Sequence, residues 1–281
     1  MIEKNEKALV SIICICWNHE NYIEQCLNSL LAQTYQNIEI IFVDNLSTDQ
    51  SFEIANQLLS KSKIPFSIIK RTSNFGISSN INFAIDLCKG KYIMSMSTDD
   101  WLTPDSIAKK VEYLEKNPKF AMVSSNGYIY NQNINETVPY IENRAKTGFL
   151  FHDLLKENFI FAIGVLIKLS VIKEVGLYDE QCPIEDWSMW IKISKDHEIG
   201  FIPDQLAYYR KHGNNFSGNF KKMKASELIL LNNYLEYPEA KLGKKNAQYR
   251  FYRYTILGYL SKIPFYNSAK KIIWNIHAKL S

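Results

Sequence analysis

The sequence predicts an α/β domain with a mostly parallel sheet and flanking helices, followed by a helical C-terminal extension. Three observations carry this. Apolar runs of strand length alternate with segments of helical apolar spacing through about the first 125 residues. The runs are continuous rather than alternating, the pattern of strands buried on both faces. From Lys221 onward the composition changes to Lys, Tyr, Leu and Ile in helical spacing.

Leu9–Cys16 is the first buried run, and Ile23, Cys26, Leu27, Leu30 and Leu31 then mark a helix. Ile38–Val43 is a second strand, ended by Asp44-Asn45, and Ser51 to Leu59 is helical. Phe66–Lys70 is a short third strand, followed by a helix through Ile77, Ile81, Ala84, Ile85 and Cys88 that Gly90 closes. Lys91–Ser97 is a fourth, ended by Thr98-Asp99-Asp100. Thr103-Pro104 reads as the next helix start, with Thr as N-cap and Pro at the first position. Phe120–Ser124 is the fifth strand, and the polar, Tyr-bearing stretch Asn126–Lys146 reads as a loop or flap. Apolar periodicity returns over Phe149 to Val175, Glu185–Ile193 is helical, and Ala207–Lys211 is a short strand or edge before the polar loop His212–Ser217. These elements predict one domain over residues 1–218, in halves 1–125 and 126–218, and an extension over 219–281.

The bulk numbers exclude several classes. The 281 residues are 46% hydrophobic and 22% charged, enough apolar content for a core and unlike a disordered chain. The net charge of +4 is too small to imply nucleic acid. It is unevenly placed, since residues 219–281 hold 12 Lys and Arg against 3 Glu. A basic tail on a mildly acidic body suits either a solvated helical surface or an anionic partner. The five Cys are odd in number and form no C-x-x-C, so neither a disulfide framework nor a zinc ribbon is expected. No signal-peptide pattern and no apolar stretch of about 18 residues occurs, so a cytoplasmic protein is expected.

In open α/β sheets ligands sit outside the carboxyl ends of the strands. Asn18, Asp44, Asn45, Asp99 and Asp100 all fall there. Asp99-Asp100 repel each other unless a divalent cation lies between them and a phosphate. Alone, the pair reads equally as a helix cap. Glu185-Asp186 opens a helix with Trp187 and Trp190. Taken alone it reads as favourable charge at a helix N-terminus; its functional reading is a general base beside an aromatic acceptor pocket. His212 is a loop residue or a metal or phosphate ligand, and nearby Arg210 a diphosphate partner. No P-loop, G-x-G-x-x-G, G-x-S-x-G or H-E-x-x-H occurs. A parallel sheet that lacks Gly-rich phosphate loops but carries Asp at several strand ends points to a metal for its phosphates.

These residues, in this order, resemble the inverting glycosyltransferases of family 2, which have the Rossmann-like GT-A fold. Val10–Asn18 through Gln33-Thr34-Tyr35 to Val43-Asp44-Asn45-Leu46-Ser47-Thr48-Asp49 is similar to the family's opening signature. Asn74-Phe75-Gly76-Ile77-Ser78 with Asn82 resembles the next element, and Ser97-Thr98-Asp99-Asp100-Trp101 the metal-site motif. Gly176–Glu180, Glu185-Asp186-Trp187 and Tyr209-Arg210-Lys211-His212 resemble the acceptor-side and closing motifs. The resemblance spans residues 8–217.

It implies that residues 1–125 bind a nucleotide-diphosphate sugar, with UDP-sugar as the expected donor, and that 126–218 bind the acceptor. Asn18, Asp44, Asn45, Asn74 and Asp99 are then nucleotide-sugar contacts. Asp100 and His212 hold Mn²⁺ or Mg²⁺, Asp186 is the catalytic base, and Glu185 and Trp187 line the acceptor side. Asn45 stands where many members have a second Asp, Ile15 where Thr is frequent, and Ser97 where D-x-D begins. These departures leave the nucleotide base open and make Asp100 the principal ligand. The implied role is sugar transfer to a glycan or lipid-linked acceptor in cell-surface polysaccharide or glycolipid synthesis. The basic extension, with Lys221–Lys224, Lys241–Lys245 and Lys270-Lys271 among aromatic residues, suits an anionic membrane surface or helix packing about equally. The alternatives are a sugar nucleotidyltransferase, which needs a Gly-rich basic first loop where this chain has Trp17-Asn18-His19-Glu20, and an inactive carbohydrate-binding scaffold, against which Asp100 and Asp186 argue.

Overall fold

The computed structural model describes residues 7–213 and 215–260. In chain order the elements are β1 (Val10–Cys16), α1 (Ile23–Leu31), β2 (Ile38–Asp44), α2 (Ser51–Ser60), β3 (Phe66–Lys70), α3 (Ile77–Ile85), β4 (Tyr92–Ser97), β5 (Trp101–Leu102) and α4 (Ser106–Lys116). There follow β6 (Phe120–Asn131), β7 (Glu136–Tyr140), α5 (Phe151–Leu154), β8 (Leu166–Lys168), α6 (Leu169–Glu174), α7 (Glu185–Asp196) and β9 (Glu198–Lys211). A 3₁₀ turn at Phe216–Gly218 precedes α8 (Phe220–Asn232) and α9 (Pro238–Leu260). The chain divides into two compact units, residues up to 154 with 158–213, and residues 155–157 with those from 215 onward.

The strands of the first unit form one sheet in the order β3-β2-β1-β4-β8-β6-β9-β5, with β7 also on β6. β3, β2, β1 and β4 are mutually parallel. Every residue of β1 and β2 is buried, which is why both read as unbroken apolar runs. Val10, Ile12, Cys14 and Cys16 meet Ile23, Cys26, Leu27 and Leu30 of α1 in the main core. Each fully buried Ile or Leu there contributes roughly 1.5–3 kcal/mol of apolar burial. At the far end of the strands Ser11 Oγ and the Lys89 amide both donate to Glu39 Oε1, at 2.6 and 2.7 Å, and Gly90 N donates to Ser11 Oγ. That network fixes the entry into β4.

The second half of the sheet is less parallel than the sequence suggests. β8 pairs antiparallel with both β4 and β6, and β5 antiparallel with β9. A three-residue strand leaves too short a pattern to read. The stretch expected as a loop or flap instead continues β6 to Asn131 and returns as β7, turning through Asn135 at φ 49°. Exposed Glu136, Thr137, Val138 and Pro139 follow one another in β7, so no alternation of polar and apolar residues marks it. The last strand likewise runs from Glu198, far before Ala207. The helix expected at Thr103-Pro104 starts at Ser106. Thr103 Oγ1 donates to Asp105 Oδ1 at 3.0 Å and its amide to Leu206 O at 3.1 Å, so Thr103 ties the turn to β9 rather than capping the helix.

In the second unit the Asn219 side chain caps α8, accepting from Lys222 N at 3.0 Å. The small buried residues Ala240, Gly243 and Ala247 let α9 approach closely. Arg250 pairs with Glu227 at 2.6 Å and with Glu157 at 3.3 Å. The basic pair Lys270-Lys271 lies outside the described residues. Among the described residues no helix is long and apolar enough to cross a membrane.

Gly127 lies in the interior of β6 because a Cβ there would strike the Phe161 ring and come 2.7 Å from Ala207 O. Gly127→Ala is therefore expected to lower the unfolding free energy by roughly 1–3 kcal/mol. Urea titration followed by tryptophan fluorescence measures this; an unchanged midpoint would show that the strand yields without cost.

Candidate active site

The carboxyl ends of β1, β2 and β4 lie side by side. Asn45 N donates to Cys16 O at 2.8 Å and Thr98 N to Ile15 O at 3.2 Å. The loops leaving β1 and β2 are joined residue by residue. Asn18 N donates to Ser47 Oγ, His19 N to Ser51 Oγ and Glu20 N to Asp49 Oδ2, at 2.8–3.0 Å. In return Thr48 N donates to Asn18 Oδ1 and Gln50 N to Glu20 Oε2. Asn18 is left-handed at φ 56°, a conformation Asn tolerates. Leu46 is left-handed at φ 64°, which costs a branched side chain roughly 1–2 kcal/mol and is held by the surrounding bonds.

Asp44 has no exposed surface. Its Oδ2 accepts from Ser47 N at 3.0 Å, and its Oδ1 is buried without a partner. A buried carboxylate oxygen of this kind calls for a hydrogen-bond partner such as water, an ion or a ligand. Asn45 is different. Its carboxamide makes a two-way bond with the Phe75 backbone, 2.8 Å each way, so it holds the Asn74–Gly76 turn in place. The Asn74 amide sits 3.1 Å from Asn45 Nδ2, and turned about, its oxygen accepts from Trp17 Nε1 at 3.0 Å.

At the end of β4, Asp99 and Asp100 are both buried. Asp100 Oδ1 accepts from Arg210 N at 2.8 Å. Burial, and then the charge of Asp99, push the Asp100 carboxyl well above the usual carboxylate range. Asp99 Oδ2 lies 3.0 Å from His212 Nε2. Burial raises Asp99 too, but the His212 hydrogen bond and the charge of His19 outweigh it and hold the carboxyl low. Asp99 Oδ1 is a second orphaned, buried carboxylate oxygen. His19 Nδ1 meets Thr98 Oγ1 at 2.9 Å, and burial lowers its basicity.

Arg210 is buried and makes contacts within the domain. Its Nε donates to Asp99 O at 2.8 Å and its Nη2 to Gln25 Oε1 at 2.5 Å. The guanidinium lies 4.6 Å from the Trp101 ring centroid and 5.0 Å from that of Tyr22. It is an interior strut that ties β9 and α1 to the acidic pair. His212 stacks on Tyr22 at 4.9 Å and meets Asp99 rather than Asp100.

Two adjacent carboxylates, one orphaned oxygen and an imidazole form a donor set suited to a hard divalent cation. Among the described residues no three His, Cys, Asp or Glu side chains converge as a complete metal cage.

The second acidic pair opens α7. Asp186 Oδ1 accepts from Trp187 N at 2.5 Å. Burial raises the Asp186 carboxyl; burial, with the charge of Asp186 added, pushes Glu185 up to about 8. The Tyr178 hydroxyl, buried beside both acids, is raised by burial and by their charges. Trp187 does not line an open pocket: it is 2% exposed, and its Nε1 donates to Leu154 O at 2.8 Å. Its indole anchors the first turn of α7 in the core and so sets where Asp186 stands.

Asn82, part of the motif around Asn74, has a role the sequence did not disclose. Its Nδ2 donates to Tyr178 O and its Oδ1 accepts from Tyr178 N, both at 2.9 Å. A third bond reaches Glu180 Oε1 at 3.2 Å. Thus α3 clamps the loop that leads to Glu185-Asp186. Leu177 in that loop is left-handed at φ 58°.

Comparison with known proteins follows the same lines. The family model described as glycosyl transferase family 2 matches residues 11–176. A glycosyltransferase of Haemophilus influenzae is 30% identical over 221 residues, covering 74% of this chain and 67% of that one. The chondroitin synthase of Pasteurella multocida is 30% identical over 231 residues, 80% of this chain but 23% of the synthase. Among solved structures, S. aureus TarS in complex with UDP-GlcNAc superimposes with a TM-score of 0.68 at 18% identity, over 90% of this chain and 76% of that one. The mannosyltransferase PcManGT from Pyrobaculum calidifontis, in complex with GDP-Man and Mn²⁺, gives 0.66 at 14% identity, over 88% and 70%. These two likenesses place the fold with the GT-A glycosyltransferases.

Asn82→Ala removes both partners of the Tyr178 backbone. A loss of about 1–3 kcal/mol of stability is expected, read from the urea midpoint. A variant as stable as the parent would mean that the Gly176–Glu180 loop holds its shape without the clamp.

Proposed function

The chain belongs to glycosyl transferase family 2, and on that premise we propose that it transfers a sugar from a nucleotide-diphosphate donor to an acceptor hydroxyl with inversion. The observation that carries the reading is the pair of orphaned, buried carboxylate oxygens, Asp44 Oδ1 and Asp99 Oδ1, at the ends of β2 and β4. A donor that bears ribose and base hydrogen-bond donors satisfies both.

In this reading Asn18, Asp44 and Asn74 face the nucleoside, with Asn45 setting the turn that carries Asn74. Asp99 meets the ribose or the sugar. Asp100, with His212 beside Asp99, would hold Mn²⁺ or Mg²⁺ against the diphosphate. When bound, that cation neutralises charge developing on the leaving nucleoside diphosphate. Asp186 accepts the acceptor proton as the hydroxyl oxygen bonds to the anomeric carbon and the bond to the diphosphate oxygen breaks. One in-line displacement through an oxocarbenium-like state inverts that carbon. Burial makes the Asp186 carboxylate a stronger base than a solvated one, which suits proton removal near neutral pH.

The donor is a UDP-sugar or another nucleotide-sugar, as bound by the two structural neighbours above. The acceptor is a glycan or lipid-linked hydroxyl, and the likeness to a chondroitin synthase supports polysaccharide assembly. The site of action is the cytoplasm or the inner face of the cell membrane.

Asp186→Asn is expected to cut transfer by roughly 10²–10⁴-fold while leaving the donor dissociation constant within about two-fold, measured by product assay and calorimetry. Turnover at the parental rate would sink the base assignment. A protonated base is inactive, so the rate should rise with pH through the raised titration of the acid pair. The charge of Asp186 helps to raise Glu185, so Glu185 ionises second and is neutral while Asp186 titrates. Glu185→Gln should therefore leave the rising limb in place, and a limb that moves would show that Glu185 rather than Asp186 sets it.

A further inference from the structure

Helix α9 is apolar on two faces. Its inner face carries the buried Ala240 and Ala247, with Gly243 between them. At 100° per residue, the opposite face collects Leu242, Tyr249, Tyr252 and Ile256 with Lys241, Lys245 and Arg253. The four apolar side chains are 46, 67, 59 and 56% exposed, and the three basic ones are exposed as well. No acidic residue falls on this face. Lys224 of α8 adds a fourth cation at its edge, with Nζ 5.9 Å from the Tyr252 ring centroid. From Lys241 to Ile256 the face runs about 22 Å, at 1.5 Å per residue.

We propose that this outer face of α9 docks on an anionic phospholipid bilayer. Tyrosine rings with an apolar body and a hydroxyl tip settle at the headgroup level. Lys and Arg stems lie along the apolar surface while their charges reach the phosphates. Each basic group near an anionic leaflet adds favourable electrostatics that salt screens. A second copy of the chain is a poorer occupant. Across a two-fold axis the face would meet itself, three cations against three with no carboxylate between them. The proposal stands on the second unit alone and does not depend on the transferase chemistry.

The test is co-sedimentation of the full chain with vesicles, without donor or acceptor, alongside its mass by light scattering. Vesicles of phosphatidylglycerol and phosphatidylcholine mixed should retain the protein at low salt, and pure phosphatidylcholine should retain at least ten-fold less. The triple variants Tyr249→Ser/Tyr252→Ser/Ile256→Ser and Lys241→Gln/Lys245→Gln/Arg253→Gln should each lower retention at least ten-fold. Both variants should keep the parent's far-ultraviolet circular dichroism and urea midpoint, which shows that they fold. Equal retention by parent and variants, no retention of the parent, or a dimer that the variants dissolve would overturn the proposal.

Discussion

The active-site end of the sheet is organised around one electrostatic problem, the burial of two adjacent carboxylates at the end of β4. Unit charges about 4 Å apart repel by roughly 4 kcal/mol at an effective dielectric of 20, and desolvation adds to that. The structure answers with groups from the last strand. The Arg210 amide donates to Asp100 and the His212 ring meets Asp99. That is why β9 runs to Lys211 and why β5, immediately after Asp100, pairs with it. The Arg210 guanidinium is then needed inward, on Asp99 O and Gln25, to lock strand and helix to the acids. Asp100 nonetheless remains raised, so the pair is incompletely compensated by the protein and is completed by a cation and a diphosphate in the proposed reaction.

The loops at the carboxyl ends of β1 and β2 are held in the same manner. The loops after β1 and β2 exchange hydrogen bonds at three successive residues, Asn18, His19 and Glu20, and the left-handed Asn18 and Leu46 persist because those bonds determine them. Asn82 carries this rigidity to the Gly176–Glu180 loop, and the buried Trp187 carries it from Leu154 into α7. Asp44 and Asp186 therefore stand on elements fixed by packing rather than on open loops.

Much of this was legible in the sequence, for physical reasons. Strands buried on both faces write themselves as continuous apolar runs, so β1, β2 and β4 were readable, and with them the acids at their ends. What failed was short or two-sided. β8 has three residues, the end of β6 is half-buried throughout and four successive residues of β7 are exposed, so none shows a period. The roles of Asn45, Arg210 and Asn82 escaped because a side chain that bonds distant backbone leaves no trace in spacing. Asn45 braces Phe75, Arg210 ties β9 and α1 to the acids, and the Trp187 indole packs in the core. The acid pairs were legible as candidates only through their order along the chain.

The central claim is that Asp100 and its neighbours bind a nucleotide-sugar through a divalent cation. Calorimetric titration of UDP-, GDP- and dTDP-sugars into the protein with Mn²⁺ tests it most directly. The account predicts binding of one nucleotide class, weakened at least ten-fold both by a chelator and by Asp100→Asn. Binding that neither the chelator nor the substitution changes would contradict it.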